Sequence, residues 1–159
     1  MNQDNSKKSK QNIPSYFNNI WIILGVISAV SFLLRIIWIP HEAPIILDST
    51  GYFWYAIDTS ITGSFPNLEC EWRCTFPNTG WPSFLSIFFT IFSSDNYLDY
   101  MNLQRYLGVI ISVVTIIPMY YFCKIFVEKK YAIIAGILFT FNPRIIENSI
   151  LGITEPIYI

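Results

Sequence analysis

The chain has 159 residues, of which 53% are hydrophobic, 18% aromatic and only 13% charged; a soluble domain carries about twice that share of charge. This composition, with a mean hydropathy of +0.42, excludes an ordinary soluble enzyme. A net charge of −1, with no basic cluster beyond Lys7, Lys8 and Lys10, gives no electrostatic footprint for nucleic acid.

Residues 1–19 are polar, rich in Asn, Ser and Lys, and read as a disordered tail. Residues 20–39 then form an apolar run interrupted only by Gly25, two serines and Arg35. A bilayer core takes about 20 helical residues, so this run is predicted to span. A cleaved signal peptide is the competing reading. The run is too long for one, and Pro40 ends it where a small-residue cleavage site would be needed. A second span is predicted over residues 106–126, with Pro118 expected to kink it. A third covers 131–148, broken near its far end by Asn142-Pro143-Arg144. The apolar Ile157-Tyr158-Ile159 reads as the start of a fourth span from about residue 155. The membrane domain 20–159 is therefore expected to be incomplete at its C-terminus, the N-terminal piece of something larger or a truncated product.

Orientation follows from Lys and Arg in short loops. Lys7, Lys8 and Lys10 precede span one, and Lys124, Lys129 and Lys130 lie between spans two and three. Counted from Pro40 to Leu103, the long intervening segment holds seven acids against one basic residue, Arg73. The predicted fold is an all-α polytopic integral membrane protein with a cytoplasmic N-terminus and an outer loop over residues 40–105. Span three returns outward, so Glu155 is expected on the same face as Asp48.

The outer loop is too long to lack structure. From Asp48 to Thr62 one helical stripe holds Asp48, Tyr52, Tyr55, Thr59 and Thr62, with Phe53, Trp54, Ile57 and Ile61 opposite. Gly63 is placed to end that helix. After a turn at Asn78-Thr79-Gly80-Trp81-Pro82, residues 82–92 form an apolar segment too short to span. Both segments read as interfacial helices; the plainer reading is that they cap the bundle.

Asp48 is the first candidate for chemistry. A carboxylate at a membrane interface can take a proton from an attacking hydroxyl or bind a metal; it can equally be a solvated charge or a helix N-cap. Glu155 lies at the start of the fourth apolar segment, where an ionisable group is a functional candidate or a helix-start acid stabilised by the macrodipole. Arg35, Arg73 and Arg144 are outer cations able to meet a phosphate, Arg35 also reading as a side chain that snorkels to the headgroups. Cys70 and Cys74, both outside, are spaced for a disulfide or, less simply, a two-cysteine metal site. Cys123 reads as apolar filler, and His41 beside Glu42 stands without a metal constellation.

In order, the span ending at Pro40, Asp48-x-x-x-Tyr52-x-x-Tyr55-Ala56, Thr62-Gly63, Gly80-Trp81-Pro82, Asn142-Pro143 and Thr154-Glu155-Pro156 resemble the N-terminal part of multispanning glycosyltransferases of the C superfamily. The nearest groups are the dolichyl-phosphate-mannose protein mannosyltransferases and relatives that use polyprenyl-phosphate sugars. The resemblance implies transfer of a sugar from a lipid-phosphate donor to a protein or glycan acceptor at the outer face. It assigns Asp48 the general-base role and Glu155 a second place in the site, with Tyr52, Tyr55, Arg35, Arg73 and Arg144 as substrate contacts. Some members use a divalent metal, Mg or Mn, and others none. The alternative reading is a non-catalytic membrane subunit or transporter fragment that binds lipid or a partner.

Overall fold

A computed structural model describes residues 19–46, 48–64 and 80–152. Seven helices account for its regular structure: α1 Ile20–Trp38, α2 Asp48–Thr62, α3 Gly80–Ile91, α4 Tyr97–Val114, α5 Ile116–Phe126, α6 Lys129–Thr140 and α7 Pro143–Leu151. No strand occurs among the described residues. Among the described residues two helices are long and apolar enough to cross a membrane, Ile20–Trp38 with a mean hydropathy of 2.4 and the joined α4–α5 unit Tyr97–Phe126 with 2.0.

α1 starts where Asn19 accepts a hydrogen bond from the Trp21 amide and stops before Pro40. Its outward face carries Ile22, Val26, Val30, Leu33 and Ile37 exposed, spaced at four, four, three and four residues. Such a stripe meets hydrocarbon without cost and water at considerable cost.

The second long helix begins at Tyr97, nine residues before the expected start at 106. Its start is set by a cap rather than by hydrophobicity: the Asn96 side chain accepts from the Leu98 amide at 3.0 Å, and Asp99 occupies the first turn. At about 1.5 Å per residue the unit is roughly 45 Å long, so it outreaches a core of about 30 Å. Regular helix is interrupted at Thr115. Pro118 has no N–H to give to Val114 four residues earlier, and Thr115 turns its hydroxyl onto Ile111 O at 2.8 Å.

The third apolar run is two helices. Asn142 caps α7 by accepting from the Arg144 amide at 2.9 Å, with Pro143 in the first turn. That bond diverts the amide which a continuous helix would have given to Thr140 O. The freed carbonyl is taken by Arg35, whose Nη2 donates to it at 2.9 Å while Nη1 donates to Ser112 Oγ at 2.9 Å. Arg35 is fully buried, so it does not snorkel. It points inward and joins α1, α4 and the α6–α7 break.

Three apolar clusters fill the rest. Leu24, Ile116, Tyr120 and Ala132 join α1 to the α5–α6 hairpin, with half-buried Cys123 packed beside them. Ile39, Val109 and Val113 join α1 to α4, with Ile150 of α7 against them. The largest, including Tyr52, Phe53, Ala56, Trp81, Leu85, Phe89 and Leu107, packs α2 and α3 on the start of α4.

α2 has the bounds its sequence stripe predicts, and Gly63 closes it with φ +69°. α3 begins at Gly80, so Trp81 and Pro82 lie in its first turn rather than in a preceding one. Proline is accommodated there because first-turn amides have no helical partner.

α4 and α7 approach closely at Gly108, where an added Cβ would stand 2.9 Å from Ser149 O, a backbone atom. Gly108→Ala should therefore destabilise the protein by about 1–3 kcal/mol. Gly25→Ala, at a site with nothing within 4 Å, should leave it unchanged or slightly more stable. Thermal unfolding of both variants in detergent measures the difference; equal midpoints would mean that α7 does not hold this register.

Candidate functional site

Four elements converge at one end of the described bundle. Ser49, in the first turn of α2, donates from Oγ to Leu151 O at 2.7 Å. Gln104 of α4 donates from Nε2 to Gly152 O at 2.9 Å and to Ser49 O at 3.3 Å. Trp81, in the first turn of α3, donates from Nε1 to the same Gly152 carbonyl at 3.3 Å. Ser49, Gln104 and Trp81 are all essentially buried. The starts of α2 and α3 are thus each bonded to the end of α7, and Gln104 of α4 bridges the Ser49 and Gly152 carbonyls. Since Ser60 and Ile61 of α2 share a groove with Phe89 and Thr90 of α3, the two helices run side by side in the same direction, with both N-termini at this junction.

Gly152 is fixed here for two reasons. Its φ is +69°, which side-chain-bearing residues rarely adopt, and a Cβ would stand 3.2 Å from Gln104 Cγ. Its amide closes α7 onto Asn148 O. Thr50 Oγ1 donates to Ile45 O at 3.1 Å and anchors the approach to α2.

Asp48 is the first residue of α2 and is exposed beside this junction. Tyr52 and Tyr55, predicted on the same stripe, each keep only 8% of their surface. Tyr52 packs in the core with Phe53 and Ala56; Trp54 and Ile61, expected opposite, are exposed. The stripe is real in spacing, but the buried face of α2 cuts across it, so of Asp48, Tyr52 and Tyr55 only Asp48 is exposed.

Neither Arg35 nor Arg144 lies at the junction. Arg35 is level with Ser112, eight residues and about 12 Å along α4 from Gln104. Arg144 is exposed at the opposite end of α7 from Gly152. A further buried cation, Arg105, escaped the sequence reading because the loop count stopped at Leu103. Its Nη1 donates to Pro40 O and to Asn102 Oδ1, both at 3.0 Å. Asn102 in turn donates to His41 O at 3.0 Å, and the His41 ring meets the Tyr106 hydroxyl at 3.3 Å. This set fastens the turn after α1 to α4. Asn102 and Arg105, three apart at the start of an apolar helix, were the available signal.

Glu155, Arg73, Cys70 and Cys74 lie outside the described residues, as do the tail and the start of a fourth span. Among the described residues no three His, Cys, Asp or Glu side chains gather as metal ligands. At the junction Asp48 is the hard oxygen donor, and a magnesium-type site needs further oxygens from substrate and water.

No protein-family model, curated protein or solved structure matches the chain.

Gln104→Leu keeps the side chain's bulk but removes the amide that bridges Ser49 O and Gly152 O, leaving Gly152 O with Trp81 alone. It should cost about 1–3 kcal/mol and loosen residues around Gly152. Hydrogen exchange should rise at the α7 C-terminus and the first turn of α2 while α5 and α6 stay protected; protection unchanged at the junction would refute its role there.

Proposed function

We propose that the chain is a membrane component of a glycosyltransferase that uses a lipid-phosphate sugar, with Asp48 as general base at the outer face. The observation that carries this reading is the exposed Asp48 carboxylate at a junction where Gly152 is bound to Ser49 through Gln104. Glu155 follows Gly152 by three residues, a tether of at most about 11 Å. The resemblance pairs these same two acids.

In this mechanism Asp48 takes the proton of an acceptor hydroxyl as its oxygen attacks the anomeric carbon. The bond from that carbon to the phosphate oxygen breaks, and the lipid phosphate leaves with the electron pair. Both α2 and α3 direct their N-termini, and so the positive ends of their dipoles, toward this junction. That field favours the phosphate leaving group. The apolar outer faces of α1 and α4–α5 suit delivery of a substrate dissolved in the bilayer. The proposed topology has a cytoplasmic N-terminus, with the α5–α6 turn inside and the junction outside, supported by the three lysines at that turn.

A transporter or subunit role is favoured by one different observation, the charged Arg35 buried within a candidate span. The two readings separate by assay. In membranes bearing the protein and a labelled polyprenyl-phosphate sugar, Asp48→Asn should lower transfer by about 100-fold or more without altering insertion. Normal transfer by this variant would remove Asp48 from the chemistry, and solute flux without transfer would favour transport. For topology, in a chain whose three native cysteines are replaced by serine, Ser64→Cys should react with an impermeant maleimide in intact cells, whereas Lys130→Cys should react only after permeabilisation. The reverse pattern would invert the orientation.

A further inference from the structure

The buried surroundings of Arg35 hold more donors than the protein engages. Arg35 Nη1 and Nη2 are bonded, but Arg35 Nε, Ser31 Oγ and Thr140 Oγ1 are buried without a hydrogen-bond partner among the described residues. Ser31, Arg35 and Thr140 are each at most 1% exposed. Ser31 lies one turn before Arg35 on the same face of α1. Helical side chains lean toward the N-terminus, which carries the arginine stem over Ser31. Thr140 meets the same guanidinium through its carbonyl. Three open N–H or O–H groups on two helices thus belong to Arg35 itself, to the residue one turn before it and to the residue whose carbonyl it binds.

The charge there is also uncompensated. Among the described residues no carboxylate stands within ion-pair distance of Arg35, and the C-terminal end of α6 supplies only about half a negative charge. A cation in apolar surroundings is normally paired or bound to a ligand. A water molecule accepts from only two of the three open hydrogens and leaves the charge. A multi-atom oxyanion would bring more acceptors than three donors can serve.

We propose that Ser31 Oγ, Arg35 Nε and Thr140 Oγ1 form a buried site for a single halide ion, chloride in the cell. It is separate from the Asp48 junction and holds whether or not the protein transfers sugar. The anion closes the electrostatic balance where α1 and α4 meet the α6–α7 break, so its binding stabilises the fold.

The test uses the purified full chain in detergent, with chloride exchanged for gluconate at constant ionic strength and pH. The unfolding midpoint should rise saturably with chloride, and bromide should act likewise. Ser31→Ala removes only an unpartnered hydroxyl; it should weaken the apparent chloride affinity about tenfold, the loss of one hydrogen bond to a charged group. Arg35→Gln should abolish the dependence. If Arg35→Gln does not fold, the Ser31→Ala titration still decides, and a bromide soak of crystals should give an anomalous peak beside Arg35 Nε. A midpoint indifferent to chloride would overturn the proposal in favour of bound water. A Ser31→Ala titration identical to wild type, or a bromide peak elsewhere only, would overturn the assigned site.

Discussion

The Arg35 guanidinium bonded to Ser112 and to the carbonyl of Thr140 is the contact on which the arrangement of the long helices depends. A helix broken by Asn142-Pro143 leaves a carbonyl without its amide, and in an apolar bundle such a group must find another donor. Arg35 supplies it from α1 and holds α4 at the same depth. From this level α7 runs along α4 until Ser149 passes Gly108, which brings Gly152 beside Gln104. The position of the junction next to Asp48 is thus a consequence of where the break is anchored, about 12 Å away along α4.

Packing of α2 and α3 adds a second constraint. Two short helices that run in the same direction require a long connection between the end of one and the start of the other, and the chain provides residues 65–79 for it. Both helices bury large aromatic side chains against α4, with Phe53 edge-on to Phe89 at 5.8 Å and Phe89 edge-on to Tyr100 at 5.3 Å. These contacts use the quadrupole geometry that aromatic pairs favour. They fix the rotation of α2, which turns Tyr52 inward and leaves Asp48 out.

Much of this was legible from the order of residues, and the exceptions have physical causes. The bounds of α2 followed from helical spacing and a terminal glycine, both local properties. The break at Asn142-Pro143 followed from a cap residue and a missing amide. Hydropathy marks only the apolar part of the α4–α5 unit, from 106, whereas the helix itself begins earlier, at the polar Asn96 cap. The faces of Tyr52 and Tyr55 were not legible, since a tyrosine suits either a core or an interface and the choice is made by Trp81, Phe89 and Leu107 from distant segments. Arg35 was assigned to the headgroups by its nearness to the end of α1. Nothing local announces that a carbonyl from residue 140 lies within its reach.

Polar contacts in this protein are concentrated at a few levels of an otherwise apolar bundle. A buried ionic group is poor evidence for stability, because an apolar replacement of similar volume is often neutral or better. Its value here lies in direction. In the membrane setting proposed for this protein, burial of apolar area gives little preference for one depth or rotation over another, since lipid tails are as apolar as leucine. Directional bonds must then choose. The Arg35 and Gln104 levels, separated along α4, are two such points, and two points on one helix set both the height and the rotation of its neighbours. A single level would leave α7 free to pivot about the break; with both, its end is held against Ser49 and Trp81, and the first turn of α2 is held with it.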